Sequence, residues 1–234
     1  MVVMRTGTRM TEDGGALLRL LQLVSPALPV GAYAYSQGLE PAVAAGWVRD
    51  EDSLRDWLFG VLEHSLCRID LPVLGRLQHA WQDGDGAAVE RWAAELMAMR
   101  ESAELQAEDR HLGLALARLL AELDVAEARA WLAHPDVGWP VMFALAAARW
   151  AIPPVQAQYG YLWAWCENQI AAAIKLMPIG QTAGQRLLSE CAQRLPALLE
   201  RYAGLPDTEI GQVSPGLAIA SAQHETQYTR LFRS

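Results

Sequence analysis

The chain has 234 residues, 52% of them hydrophobic, which is enough apolar material to bury the core of one or two domains. Its formal net charge is −8 at pH 7. Proteins that hold nucleic acid need clustered Lys and Arg to neutralise phosphates, so this balance argues against nucleic-acid binding as the main task.

The three cysteines, Cys67, Cys166 and Cys191, are widely separated along the chain. They form no CxxC motif and no metal-ligand spacing with histidine, so the sequence predicts neither a disulfide framework nor a zinc site. We expect buried free thiols in a reducing cytoplasm. Arg19 and Gln22 interrupt the first apolar run, which a secretory signal peptide would keep continuous, and we therefore expect a cytoplasmic protein.

Apolar residues recur with a helical period along most of the chain, and no alternating strand pattern occurs. The predicted helices cover residues 16–24, a short stretch after Ser36, 52–67, 71–82, one or two helices within 87–123, 125–133, 140–151, 155–177 and 180–203. This pattern predicts an all-α fold, a single-domain bundle of about ten helices with a flexible C-terminal tail.

The chain divides into three parts by composition. Residues 1–15 are expected to be disordered, and residues 16–204 form the all-α domain. After residue 204 the chain becomes rich in Gly, Pro, Ser, Thr and small residues, so residues 205–234 are predicted to be a linker and a partner-binding tail.

The span 159–177 is the only one that approaches the length of a transmembrane helix. Glu167 lies near its middle, with Asn168 and Gln169 beside it and Lys175 near its end. A charged residue at the centre of a membrane helix costs about 2.5–3.5 kcal/mol. The sequence therefore predicts a buried helix of a bundle and no membrane contact.

The segment IKLMPIGQTAGQ, residues 174–185, contains the only lysine of the chain, Lys175. Gly180 and Gly184 stand closer together than the glycines of a phosphate-binding loop, and Gln185 occupies the place of the loop lysine. The sequence therefore predicts a turn between two helices and no nucleotide site. Lys175 either extends its ammonium from the core into solvent or presents it to an acceptor at an interface.

Glu101, Glu104, Glu108 and His111 are spaced so that they share one helical face. Glu108 and His111 match the Glu-x-x-His motif of di-iron bundles, but that fold needs a second such motif on another helix, and the sequence has none. We expect a solvated polar face, with a partner-binding face as the alternative.

No catalytic centre can be assembled from the remaining motifs. The sequence has no Gly-x-Ser-x-Gly elbow, and its histidines have no metal-ligand spacing between them. We therefore predict no catalytic and no metal-binding residues. The alternative is a small helical enzyme, a hydrolase or lyase, whose site residues are too scattered to recognise.

Two segments remain that catalysis does not explain. SPALPVGAYAYSQGLE, residues 25–40, is an irregular loop with two tyrosines that leads into a short helix. HETQYTRLFRS, residues 224–234, combines aromatic and arginine side chains, which are typical of protein interfaces. The loop either covers one end of the bundle or forms a binding surface. The tail either folds back on its own bundle or docks on a partner.

These two segments, together with ENQIAAAIKLMPIGQTAGQRLL and MRESAELQAEDRHLGLALARLL, resemble the urease accessory proteins of the UreF family. The similarity extends over nearly the whole chain, from about Leu17. The resemblance implies an all-α chaperone that is not an enzyme and that forms a homodimer. It also implies binding of the accessory protein UreD, called UreH in some organisms, and recruitment of the GTPase UreG.

Such a protein would take part in the GTP-dependent insertion of nickel into apo-urease and would modulate the GTPase. The resemblance implies no cofactor of the chain's own, because nickel would be handled by the complex and GTP would be bound by the partner. Lys175 resembles the family position tied to coupling with the GTPase, and residues 230–233 resemble the segment that becomes ordered against UreD. The predicted partner-binding residues are Tyr33, Tyr35, Ser36, Glu40, Lys175, Gln181, Gln185, His224, Tyr228, Arg230, Leu231, Phe232 and Arg233.

Overall fold

The computed structural model describes residues 7–212 and 214–234, with side chains from Gly14 onward. This part of the chain contains eleven α-helices and no strand, which confirms the predicted all-α class. The helices are α1 (Gly7–Leu23), α2 (Leu39–Ala44), α3 (Glu51–Val61), α4 (Asp70–Asp83), α5 (Gly86–Ala98), α6 (Ala103–Glu122), α7 (Ala128–Trp131), α8 (Trp139–Arg149), α9 (Pro154–Leu176), α10 (Gln181–Tyr202) and α11 (Pro215–His224).

Polar side chains explain where several helices begin. Asp50 and Ser53 form a reciprocal capping box at the start of α3. Asp85 caps α5, and Ser102 caps α6, each by accepting a hydrogen bond from a backbone N–H in the first turn of the helix. The cap at Ser102 divides the stretch predicted as one or two helices into two.

Helix α8 lies at the centre of the bundle. All residues from Pro140 to Ala147 are buried, as expected for a helix that is apolar on every side. It packs against α4 and α6. The approach of the segment before α8 to α6 requires Gly113, because a Cβ atom there would lie 2.4 Å from the carbonyl oxygen of Val137.

Helices α9 and α10 are the two helices on either side of the predicted turn. Only four residues connect them, so they run antiparallel and pack along their length. A Cβ atom at Gly184 would lie 2.9 Å from Ile174, which shows how closely the helices approach at this corner. Within the described residues no helix, α9 included, is both long enough and apolar enough to cross a bilayer.

Both ends of the chain differ from the expectation. Residues 7–15 already belong to α1, whereas the expectation for residues 1–6 lies outside the described part. In the segment expected to be a flexible linker and tail, α11 packs against α2. Ala220, one of the small residues that suggested a loop, takes part in this contact, since a Cβ atom at Gly38 would lie 3.3 Å from it and 3.2 Å from Leu217.

Candidate functional site

The loop before α2 and the last residues of the chain bind each other. The backbone N–H of Arg233 donates to the carbonyl oxygen of Ala34 at 2.8 Å. Ser36 donates to the carbonyl oxygen of Ser234 from its backbone N–H, at 2.9 Å, and from its hydroxyl, at 2.5 Å. We call residues 31–40 and 224–234 the loop–tail site. The tail therefore folds back on its own bundle, and the loop is the surface that receives it.

Glu40, in the first turn of α2, is the main anchor of the tail. Its Oε1 atom accepts the backbone N–H of Leu231 at 2.7 Å, and its Oε2 atom accepts that of Phe232 at 2.9 Å. The carboxylate is only 7% exposed, so these charge-assisted hydrogen bonds are largely shielded from water. Two successive backbone donors on one carboxylate fix the direction in which the tail leaves this point.

His224 connects the tail to two helices. Its ring is fully buried, with Nδ1 at 2.7 Å from Glu104 Oε2 on α6 and Nε2 at 3.4 Å from Glu40 Oε2 on α2. The other oxygen of Glu104 accepts from Arg230 at 3.1 Å. The end of α11 and the tail beyond it are thus held through the same two carboxylates.

Glu108 binds both halves of the loop–tail site from α6. Its Oε2 atom accepts the hydroxyl of Ser234 at 2.6 Å, and its Oε1 atom accepts the side-chain amide of Gln37 at 2.7 Å. Burial raises the pKa of Glu108 to about 7, although both hydrogen bonds favour the charged form. The carboxyl group therefore changes its charge close to neutral pH.

The polar face of α6 is not the solvated face that we expected. Glu108 is buried and Glu104 is partly buried. Glu101, predicted on the same face, lies just before α6 and accepts the backbone N–H of Ser214 at 2.9 Å. His111 remains exposed, and its Nδ1 atom lies 3.2 Å from the hydroxyl of Tyr35. The difference arises because the loop and the tail, distant in sequence, cover this face and supply its hydrogen-bond partners.

Two side chains of α9 that the sequence did not single out as site residues hold the loop in place. Asn168 donates to the carbonyl oxygen of Tyr35, and Gln169 donates to that of Ser36, each at 3.0 Å. Buried polar groups need hydrogen-bond partners, so two adjacent amides in an otherwise apolar helix predict hydrogen bonds to another segment of the chain. They do not indicate which segment that is.

The structure divides the predicted partner-binding residues into two groups. Those buried within the chain, where they hold the loop–tail site together, are Tyr35, Ser36, Glu40, His224 and Phe232. Those exposed on its surface are Tyr33, Lys175, Gln181, Gln185, Tyr228, Arg230, Leu231 and Arg233. While the tail stays docked, only the exposed group is therefore available for contact with a partner.

Lys175 lies at the junction between the tail and the α9–α10 corner. Its side chain is exposed, and Nζ lies 5.5 Å from the ring centroid of Phe232, within the range of a cation–π contact. Near it, Tyr33, Gln181 and Gln185 line a groove of about 290 Å³. These contacts bring the loop, the corner and the tail next to one another.

A group of buried charges lies beside the loop–tail site. Arg100 donates two hydrogen bonds to Asp70, at 2.7 and 3.0 Å, and one to Asp109 at 2.9 Å. Tyr161 donates to Asp70 at 2.7 Å, and Asp109 accepts the backbone N–H of Trp139 at 2.8 Å. The adjoining cavity measures about 60 Å³, far less than a typical small-molecule site. With every carboxylate bonded, this cluster is a structural joint between helices.

The described side chains include no group of three His, Cys, Asp or Glu that could hold a metal ion. All three cysteines are buried and free, as expected. A hydrogen bond to Cys191, together with burial, raises the pKa of the Cys166 thiol well above its usual range. A thiol in this state is a poor nucleophile at neutral pH.

We expect Glu108→Gln to remove the contribution that Glu108 makes to the pH dependence of stability between pH 4.5 and 7. In this window the unfolded state loses the proton while the folded state keeps it, so the wild-type free energy of unfolding falls as pH rises. The shift corresponds to about 3 kcal/mol, which the variant regains at pH 8. Urea denaturation at pH 5 and pH 8 measures this difference. Glu122→Gln, at the exposed end of α6, is the control; equal slopes for both variants would contradict the assignment.

Comparison of the chain with known proteins identifies the family that it resembles. A family model described as UreF matches residues 48–192. A protein from Alkalilimnicola ehrlichii is 56% identical, over 96% of this chain and 98% of its own length, and is named urease accessory protein UreF. Proteins of the same name from Azoarcus sp. and Pseudoalteromonas translucida are 53% and 47% identical, over 96% and 99% of this chain and 99% and 100% of their own.

These relatives are named as accessory proteins, which confirms the expectation that the chain is not an enzyme. The resemblance carried by the loop, the corner and the tail is confirmed as well, because the identity covers nearly the full chain. The chain belongs to the UreF family.

Proposed function

We propose that this chain is a chaperone for GTP-dependent nickel insertion into apo-urease, where it bridges UreD (UreH) and the GTPase UreG and modulates the GTPase. Membership of the UreF family and the name of its relatives support a role in urease maturation. The finer steps rest on the resemblance of the loop, the corner and the tail to the segments that family members use with these partners.

One observation carries the proposal: the loop, the corner and the tail form a single surface. Arg233 and Ser234 bond to the loop, and Phe232 lies beneath the ammonium group of Lys175 at the corner. A surface assembled from three distant segments can hold two partners in a fixed relation to each other. An adaptor needs this property, whereas a single exposed patch does not provide it.

The exposed tail side chains are suited to bind UreD. Tyr228 is fully exposed, and Leu231 is 63% exposed, beside Arg230 and Arg233. Aromatic, aliphatic and arginine side chains are the ones that contribute most to binding at protein interfaces. The buried residues of the loop–tail site would then position this surface without touching the partner.

The corner is suited to bind the GTPase. Lys175 is the only cation on the last two turns of α9, and no described carboxylate forms an ion pair with it. Its ammonium is therefore available to an acceptor on UreG. We also propose that the chain acts in the cytoplasm as a homodimer without a cofactor of its own, with nickel handled by the complex and GTP bound by UreG.

Lys175→Ala tests the corner. We expect the variant to keep its helical circular dichroism while co-purification with UreG and urease activation in cells fall by about tenfold, as for a charged contact at an interface. Arg129→Ala, an exposed cation on α7, is the matched control. If the variant is unfolded, Lys175 contributes to the stability of the fold instead. If urease activation is unchanged, Lys175 does not take part in the interface with UreG.

Co-purification of the chain with UreD and UreG, with and without GTP, tests the proposal as a whole. We expect one complex that contains all three proteins. Full urease activation in cells that lack this chain would contradict the proposed function.

A further inference from the structure

Two of the three buried thiols meet across the contact between α9 and α10. Cys166 lies ten residues before the end of α9, and Cys191 lies ten residues after the start of α10. Because the two helices are antiparallel and joined by a short turn, equal distances from the corner place these residues opposite each other. The two thiols share a hydrogen bond, which Cys166 donates to Cys191.

The two helices approach each other closely along this face. Gly184 lies two turns before Cys191, and a Cβ atom there would be 2.9 Å from Ile174 and 3.1 Å from Ile170. Ile170 in turn lies one turn after Cys166 on α9. A disulfide joins Cα atoms that are about 4.4–6.8 Å apart, a separation that neighbouring helices reach only where small side chains face each other. Two thiols already in hydrogen-bond contact meet this condition.

The surroundings of the two thiols give them different roles. The hydrogen bond from Cys166 lowers the pKa of Cys191, and Arg194 acts in the same direction against burial and Glu190. The same hydrogen bond and burial raise the pKa of Cys166. Residues 192–194 are exposed, so Cys191 lies directly beneath the surface of α10. Cys191 is therefore the thiol that attacks an oxidant, and Cys166 is the one that responds to it.

Cys67 shares the burial of this pair but not its reactivity. Burial raises the pKa of its thiol to about 12, and Glu63 and Asp70 add to the effect. Almost none of this thiol is ionised at neutral pH, and the thiolate is the form that reacts. Cys67 therefore provides a reference thiol within the same chain.

We propose that Cys166 and Cys191 form a redox-sensitive pair, which hydrogen peroxide converts into a disulfide between α9 and α10. The thiolate of Cys191 attacks the peroxide, so that an S–O bond forms, the O–O bond breaks and the departing hydroxide takes up a proton to become water. The sulfur of Cys166 then attacks the sulfenic acid of Cys191. The S–S bond forms, the S–O bond breaks, and hydroxide leaves with the thiol proton of Cys166 as a second water.

The bond would fix α9 to α10 behind the corner that carries Lys175. It would close the loop of residues 166–191, which restricts the unfolded chain and stabilises the folded one. In a reducing compartment such a bond is transient, because thiol–disulfide exchange reverses it. This inference goes beyond the proposed adaptor function and does not depend on it.

Treatment of the purified full chain with hydrogen peroxide, followed by alkylation and trypsin digestion, tests the inference. Trypsin places the three cysteines in separate peptides, residues 56–68, 150–175 and 187–194. We expect mass spectrometry to detect a disulfide between the second and third peptides, formed at least about tenfold faster than Cys67 is oxidised. The melting temperature should rise with the bond and return to its first value after reduction with dithiothreitol.

Serine variants test the two roles. In Cys166→Ser, Cys191 should stop at the sulfenic acid, which dimedone traps. In Cys191→Ser, Cys166 should remain a thiol at the peroxide concentration that links the wild-type chain. Cys67→Ser is the matched control and should form the bond at the wild-type rate.

Three results with the wild-type chain would overturn the inference. They are a disulfide that includes Cys67, sulfenic acid at Cys191 that does not proceed to the bond, and oxidation of Cys166 and Cys191 no faster than that of Cys67. The wild-type measurement needs no substitution, so it decides the inference even if a serine variant does not fold. In urea the order of reactivity should disappear, because it depends on the packing of α9 against α10.

Discussion

Arg100→Met should lower the free energy of unfolding by about 3–5 kcal/mol, as expected when one member of a buried ion-pair network is removed. Arg100 lies in the connection between α5 and α6, and it neutralises Asp70 in the first turn of α4 and Asp109 on α6. Both carboxylates are almost completely buried. Without the guanidinium they would keep only neutral partners, the hydroxyl of Tyr161 and the N–H of Trp139.

Urea denaturation monitored by circular dichroism measures this loss. Arg91→Met is the matched control, because Arg91 pairs with an exposed glutamate on the surface of α5 and should cost at most about 1 kcal/mol. Changing Asp70 and Asp109 to Asn in the Arg100→Met background should recover part of the stability, since no uncompensated buried charge then remains. A loss below 1 kcal/mol for Arg100→Met would show that the cluster is not a joint of the fold.

Glu40→Ala should release the tail from the bundle. The variant removes the acceptor of two backbone N–H groups, of Leu231 and Phe232, and one of the two carboxylates beside His224. Hydrogen bonds to a charged group contribute about 1.5–3 kcal/mol each, so the docked tail should lose at least about 3 kcal/mol relative to the open state. The helices of the bundle should persist, because the tail contributes only a small part of the core.

Hydrogen exchange resolved by residue measures this release. In Glu40→Ala the amides of Leu231 and Phe232 should lose their protection, while those of α8 and α9 keep it. Glu225→Ala changes an exposed carboxylate of the same tail and should leave all of these rates unchanged. Unaltered protection of residues 231 and 232 in Glu40→Ala would mean that Glu40 does not hold the tail.

The helices of the domain could be predicted because their signals are local. Apolar spacing, the proline in the first turn of α8 and the caps at Asp50 and Ser102 act within a few residues, so the sequence alone carries them. Helix α11 was missed because its small residues have a weak helical pattern by themselves. Their role becomes visible only through the close packing of α11 on Gly38.

The sequence identified the residues of the loop–tail site, but it could not distinguish those that hold the site together from those exposed on its surface. Glu40 and Phe232 belong to motifs far apart in the chain, and nothing local indicates that they bind each other. Glu108 was predicted to lie on a solvated face for the same reason: its partners Gln37 and Ser234 are both distant from it in sequence. Contacts over such separations are set by the packed fold and not by local preference.

Capture of UreD by the full chain and by a chain without residues 225–234 decides whether the docked tail is the surface that the partner recognises. We expect the shortened chain to keep its helical circular dichroism and to lose UreD completely in co-purification. Undiminished capture of UreD by the shortened chain would contradict an adaptor that works through its loop–tail site.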